Sequence, residues 1–322
     1  MIEEALKAFP EQCAWVPEVK HHEKLSVKKR IIIAGMGGSA LASGIVKMRY
    51  PELDICEHRG YGLPIISESD RGASMLIASS YSGNTEETLD AFEAAHTAGI
   101  SVAALGVGGK LLARAEELNI PYVALPDTHI QPRMALGFSL KGLLALMKKE
   151  EGLAEIASCA GTLISHEMEQ KGTLLAEALK DRVPVIYASH ENEPLAYVWK
   201  IKCNETAKIP AFANVFSELN HNEMTGFARD GRTKPLSDAY TFIFLKDKDD
   251  HPRIAARMEI TKALYMERGL PVIDVALEGS GVFEKALRVA YLADWTAYAL
   301  ANYYGVEPEQ VPLVEEFKHR IA

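Results

Sequence analysis

The sequence is short of cysteine, of basic clusters and of long apolar runs, and each shortage narrows what the chain can be. Its four cysteines, Cys13, Cys56, Cys159 and Cys203, form neither a CxxC pair nor a Cys/His ligand spacing. They predict buried, reduced thiols rather than a disulfide framework or a zinc site. No basic block is longer than Lys28-Lys29-Arg30, and 35 basic against 44 acidic residues leave a formal net charge of −9. That balance argues against nucleic acid and anionic membranes as partners. No run reaches the ~18 apolar residues of a spanning helix. The opening MIEEALKAFPEQ is acidic and amphipathic, unlike a basic-then-apolar export signal. A cytoplasmic protein is expected. Low-complexity segments and short solenoid repeats are also missing.

What is present is ordinary globular material: 322 residues, 48% hydrophobic and 25% charged, enough for two domains of ~150 residues. After amphipathic helical stretches over residues 2–20, short apolar runs at 30–34 (RIIIA), 73–79 (ASMLIAS), 101–107 (SVAALGV) and 122–125 alternate with helical patterns such as 85–98. Such alternation predicts βαβ units with buried parallel strands. A long helical pattern over 132–151 ends in Lys148-Lys149-Glu150-Glu151, which reads as a solvated connection. The scheme then repeats, with strands at 184–188, 240–245 and 271–276 and helices at 254–268 and 283–304. The expected fold class is α/β: two doubly wound domains, 1–150 and 151–322, each a mainly parallel sheet flanked by helices.

Two loops carry chemistry. Gly35-Met36-Gly37-Gly38-Ser39 follows the first buried run and opens a helix at Ala40, so backbone N–H groups can face an anion. Its GxGG spacing departs from the dinucleotide GxGxxG, and a tight strand-to-helix turn would need the same glycines. The second loop, Ser79 to Thr88 (SSYSGNTEET), puts several hydroxyls where a strand ends and a helix begins. A helix cap by Asn84 with Glu87 as capping box accounts for part of it. It leaves Ser80, Ser82 and Thr85 unexplained. Hydroxyls and helix N-terminal N–H groups together can hold a phosphate without a cation.

Through these motifs the sequence resembles the sugar isomerase (SIS) domain proteins, and more closely the bifunctional phosphoglucose/phosphomannose isomerases. The resemblance runs through GMGGS at 35–39, SYSGNTEET at 80–88, Pro132-Arg133, the NETAK of Asn204 to Lys208, and His221-Asn222, in the family's order and over essentially the whole chain. It implies a phosphosugar substrate bound by Gly38, Ser39, Ser80, Ser82 and Thr85. Arg133 then lies beside the reacting carbons, Glu205 moves the proton and His221 opens the sugar ring. It also implies a homodimer with shared active sites, the histidine arriving from the partner. Lys318 matches a lysine of the family's last helix.

The chemistry asks for such a set. Aldose–ketose isomerisation shifts a proton between C2 and C1 through a cis-enediolate, so one carboxylate serves both carbons. Glu205 suits that role, and its alternative is a solvated helical Glu beside Lys202 and Lys208. Arg133 suits stabilisation of the intermediate's oxygen, against a solvated place at a helix start. His221 suits ring opening, against an ordinary surface histidine. His21-His22 and His190/Glu191/Glu193 lack a ligand spacing, so no metal and no cofactor is expected. One departure from the family stands out: where it has a threonine before a proline, this chain has Val311 before Pro312, with Gln310 preceding it. Anchored on the proline, Val311 keeps threonine's volume without its hydroxyl; one residue earlier, Gln310 matches the glucose-specific enzymes. The rival functions are a non-catalytic phosphosugar sensor and an isomerase of amino-sugar or heptose phosphates.

Overall fold

A short, wholly apolar run can bury every side chain only in a sheet covered on both faces, and that is where these runs lie. In the computed structural model, which describes residues 2–321, ten strands make two sheets. Strands β1 (Val19–Lys20), β2 (Arg30–Ala34), β3 (Asp54–His58), β4 (Ser74–Ser79), β5 (Ser101–Gly106) and β6 (Tyr122–Ala124) are ordered β1-β6-β5-β4-β2-β3. All neighbours are parallel except β1 with β6. Strands β7 (Val183–Ser189), β8 (Phe212–Phe216), β9 (Tyr240–Lys246) and β10 (Val272–Ala276) form an all-parallel sheet ordered β10-β9-β7-β8. In each sheet the second strand of the run (β3 or β8) lies to one side of the first (β2 or β7), and the third and fourth lie to the other. Both are doubly wound, as expected.

The chain divides into two compact units. One comprises Lys7–Ile164 with Ser280–Leu287; the other comprises Ser165–Gly279, the segment through Leu6 and the residues from Arg288 onward. The division therefore falls at 164/165 rather than at 150/151. Lys148 adopts a left-handed φ of 54° and ends helix Leu136–Leu146, so the pattern over 132–151 is not one helix. Glu150 and Glu151 are not a solvated linker but the first turn of helix Glu150–Cys159. That helix is fastened to helix Leu41–Arg49 of the same unit by Arg49, which reaches Glu155 at 2.8 Å and Glu151 at 3.1 Å. Two other expectations also shift. The helical stretch over 2–20 consists of helices Ile2–Lys7 and Phe9–Ala14 followed by β1. Strands β3 and β8 have no clear pattern in the sequence: DICEH carries charge, and Phe212 of FANVF is exposed.

In the first unit Ile32, Ala34, Leu76, Ala78, Val102 and Ala104 pack against helices Glu86–Thr97 and Gly109–Glu117. The alternate residues Ile31, Ile33, Met75, Ile77, Ala103 and Leu105 are buried as well, on the opposite face. In the second unit the equivalent core is aromatic: Tyr187, Phe216, Phe242, Phe244 and Tyr265 cluster, with ring centroids 4.5 Å apart for Phe242 and Tyr265. Three cysteines are buried and all four are free, and burial pushes the Cys13 and Cys203 thiols up to about 12. Among the described residues no helix is long and apolar enough to cross a membrane.

The second unit also contains a buried ion pair. Lys202, on helix Glu193–Glu205, meets Asp294, on helix Val282–Tyr304, at 2.7 Å, with side-chain exposures of 0% and 2%. Breaking such a pair strands a charge and costs about 3–5 kcal/mol, whereas replacing both members with apolar groups is often neutral. Lys202→Met should therefore lower the urea midpoint sharply, and Lys202→Met combined with Asp294→Leu should recover most of the loss. Equal stability of single and double variants would contradict this account.

Candidate active site

Strand order creates the first unit's crevice. The chain runs from β2 outward to β3, then crosses back to β4 on the other side of β2, so the loops leaving β2 and β4 part at their carboxyl ends. A topological switch point of this kind is where open α/β sheets bind ligands. The loops there are GMGGS after β2 and SYSGNT after β4.

Hydrogen bonds lock these loops together. Ser39 Oγ accepts from the Tyr81 amide at 2.9 Å, and Ser79 Oγ donates to the Ser39 carbonyl at 3.0 Å. Ser80 is fully buried; its Oγ accepts from the Gly83 amide at 3.1 Å and lies 2.9 Å from Thr85 Oγ1. Ser82 is exposed and accepts from the Asn84 amide at 3.2 Å. Thr85, not Asn84, is the N-cap of helix Glu86–Thr97, and its hydroxyl turns to Ser80 instead of capping. Asn84 does other work: its Oδ1 accepts from the Lys110 amide at 3.1 Å. The helix start leaves first-turn N–H groups without intrahelical partners. The loop thus presents the exposed Ser82 and half-buried Thr85 hydroxyls beside the first-turn N–H groups of helix Glu86–Thr97.

Arg133 joins this group. It lies in the turn Pro132–Met134 and is fully buried, so the solvated alternative is excluded. The GMGGS loop passes so close to that turn that a Cβ on Gly38 would overlap the backbone of Pro132 and Arg133. A third loop, Gly106-Val107-Gly108-Gly109 after β5, is absent from the sequence-based expectations and braces the second: Val107 N donates to the Tyr81 carbonyl at 2.8 Å and Leu111 N to Gly83 at 2.9 Å. Its signal is present in the chain, since an apolar run followed by clustered glycines is the same pattern as GMGGS. Gly83 sits at φ 69°, and a Cβ there would run into the Gly108 carbonyl.

In the second unit the corresponding switch point lies between the carboxyl ends of β7 and β9, and Asp250 is held there. Asp250 accepts from Asn192 Nδ2 at 3.2 Å and from the Asp247 amide at 3.2 Å. Burial pushes its carboxyl up, against a hydrogen bond from Ser189 that favours the charged form.

The remaining catalytic and substrate-binding candidates belong to this unit. Glu205 is the last residue of helix Glu193–Glu205 and half-buried; the helix end is closed by Lys208, whose φ is 59° and whose Nζ donates to the Glu205 carbonyl. A carboxylate at a helix C-terminus opposes the macrodipole by ~0.3–1 kcal/mol. His221 is exposed at the end of the turn Glu218–His221. Val311 is half-buried immediately before helix Pro312–Ile321, and Gln310 is exposed. Lys318 is exposed on that helix and pairs with Glu315 at 2.7 Å. His21 bonds to Glu116 at 2.9 Å and His190 pairs with Glu193 at 3.6 Å. No cluster of three or more metal-ligating side chains occurs among the described residues.

Because Gly38 is the point of closest approach, Gly38→Ala should force the Pro132–Met134 turn away and cost about 1–3 kcal/mol as an overpacking. A thermal midpoint unchanged from the parent would show that the turn has room to spare.

Comparison with known proteins gives this geometry a family. Residues 168–321 match the bacterial phospho-glucose isomerase C-terminal SIS domain. The bifunctional phosphoglucose/phosphomannose isomerase of Caldicellulosiruptor bescii is 32% identical over 99% of this chain and 98% of its own. Its namesake from Thermoplasma acidophilum is 33% identical over 91% of this chain and 89% of its own. Among solved structures, the C-terminal domain of glucosamine-fructose-6-phosphate aminotransferase from Francisella tularensis superposes with a TM-score of 0.70 at 14% identity, covering 96% of each chain. Tagatose-6-phosphate ketose/aldose isomerase from Escherichia coli does so at 0.68 and 16%, covering 95% of this chain and 94% of its own. At those identities the likeness establishes the fold, while the sequence relatives establish more: the chain belongs to the bifunctional phosphoglucose/phosphomannose isomerase family.

Proposed function

We propose that this protein interconverts glucose 6-phosphate and mannose 6-phosphate with fructose 6-phosphate through a cis-enediolate. The observation that carries the reading is the hydroxyl-lined crevice at the β2/β4 switch point, with fully buried Arg133 held against it through Gly38. The phosphate lies among Ser39, Ser80, Ser82 and Thr85 and the first-turn N–H groups of helix Glu86–Thr97. Ser82 and Thr85 offer it exposed or half-exposed hydroxyls, and Ser39 and Ser80 hold the loop in shape. His221 takes the proton of the anomeric hydroxyl and delivers it to the ring oxygen as the ring opens. Glu205 takes the proton from C2 of the aldose and returns it to C1, the O2 hydroxyl proton passes to O1, and Arg133 stabilises the negative oxygen of the enediolate between the two transfers. Lys318 lies at the substrate. Proton transfer between neighbouring carbons consumes no redox equivalent, so the step balances without a cofactor.

Val311 keeps the volume of a threonine, so the intermediate has room to turn and be reprotonated on either face of C2; both aldoses are then substrates. Reprotonation on one face gives glucose 6-phosphate and on the other mannose 6-phosphate. The four free thiols fit a reducing compartment, and we place the enzyme in the cytoplasm.

A coupled assay in buffer containing a chelator tests the reading. Both aldose phosphates should turn over, and Glu205→Gln, which keeps the shape and removes the base, should lower kcat by orders of magnitude while binding persists. Binding of fructose 6-phosphate without turnover by the parent protein would identify a sensor instead. Inert mannose 6-phosphate beside rapid glucose 6-phosphate turnover would place Gln310 rather than Val311 at the substrate.

The exposed position of His221 supports a homodimer in which each histidine serves the partner's site. Inactive Glu205→Gln and His221→Ala proteins, mixed under conditions of subunit exchange, should then regain part of the activity. Verified mixed dimers with no recovery would assign each site to a single protomer.

A further inference from the structure

His221 projects into solvent, yet the backbone beneath it is tied down on both sides. Ahead of it, Leu219 is fully buried in the aromatic core. Asn220 Nδ2 donates to Thr261 Oγ1 at 2.9 Å, and Asn220 Oδ1 accepts from Arg257 at 3.3 Å. These contacts fasten the turn to helix Pro252–Glu267. Behind it, Asn222 Oδ1 accepts from the Glu223 amide at 2.6 Å. The Glu223 carboxylate then spans two strands: one oxygen accepts from the Tyr187 hydroxyl on β7 and the other from Asn214 Nδ2 on β8, each at 2.5 Å.

The two donors are themselves fixed. Tyr187 is wholly buried, and burial pushes its hydroxyl far up, so it remains a donor across the accessible pH range. Asn214 Oδ1 is occupied by the Val215 amide at 2.8 Å, which leaves its Nδ2 as the group facing Glu223. A carboxylate bound through both oxygens to two fixed donors has no rotamer freedom left. The direction of the next turn of backbone, and of the imidazole on it, follows. An apolar side chain at this half-buried position would fill space but set no direction.

We propose that Glu223 is a positioning residue, clamped by Tyr187 and Asn214, that aims His221 at the sugar ring oxygen. This inference rests on the isomerase reading and on the ring-opening role of His221. Loss of Glu223 lets the turn drift while Arg133, Glu205 and the phosphate loop keep their places, so the damage falls on the step that His221 performs.

The test is a double-mutant cycle with glucose 6-phosphate as substrate, comparing the parent, Glu223→Ala, His221→Ala and the combination. Glu223→Ala should lower kcat about tenfold or more with KM within about twofold, and in the His221→Ala background it should cost less than about twofold. Its effect on the thermal midpoint should be the same in both backgrounds, which separates stability from positioning. Tyr187→Phe should show the same non-additivity with a smaller loss, and it carries the cycle alone if Glu223→Ala does not fold. Equal losses in both backgrounds, or full kcat in folded Glu223→Ala, would overturn the positioning role while leaving the isomerase intact. A parent protein inert on glucose 6-phosphate, or a fully active His221→Ala, would instead overturn the underlying reading and this inference with it.

Discussion

Two serines and one amide decide the geometry of the hydroxyl-lined crevice. Strands β2 and β4 are parallel neighbours whose following loops leave toward opposite faces of the sheet, which opens a gap at their carboxyl ends. The bonds from the Tyr81 amide to Ser39 Oγ and from Ser79 Oγ to the Ser39 carbonyl close the base of that gap. Everything above depends on them: the buried Ser80, the Ser80–Thr85 contact, and the start of helix Glu86–Thr97. An acidic protein with a formal charge of −9 can hold an anion there because the field that matters is local. Oriented N–H groups and hydroxyls act within a few ångströms, whereas exposed charges beyond ~8 Å are screened at physiological salt.

The second unit shows the same winding put to another use. Its switch point lies between β7 and β9, where Asp250 is held by Asn192 and the Asp247 amide. What this unit offers instead is a set of presented side chains. Glu205 stands on a helix end that Lys208 caps and that the buried Lys202–Asp294 pair anchors three residues upstream. His221 stands on a turn tied to helix Pro252–Glu267 on one side and to β7 and β8 on the other. In both cases rigidity comes from buried polar groups whose partners are all in place. In a low-dielectric interior such a network is stiff when complete and costly when broken.

Several elements are legible in the amino-acid sequence alone. The runs RIIIA, SMLIAS and YTFIFL become strands because they have no polar face to give to water. The loops GMGGS and SYSGNT are visible because glycine and hydroxyl clusters between a strand and a helix have few other uses. Strands β3 and β8 are not legible, since the apolar pattern is diluted by Asp54, Glu57 and an exposed Phe212. The stretch Lys148 to Glu151 misleads for a related reason: charge on a helix that packs by its other face looks like charge on a linker.

By itself the sequence determined the fold class, the two doubly wound sheets and the residues of the two hydroxyl- and glycine-bearing loops, because local hydrophobic pattern and turn chemistry act between neighbours in the chain. Tertiary structure alone decided that Thr85 rather than Asn84 caps the helix, that Arg133 is buried, and that Asp250 meets Asn192. It alone brought Glu223 between Tyr187 and Asn214, 36 and 9 residues away along the chain. Burial and hydrogen-bond partnership are settled by segments far apart in sequence, and no local pattern records which distant donor a side chain will meet.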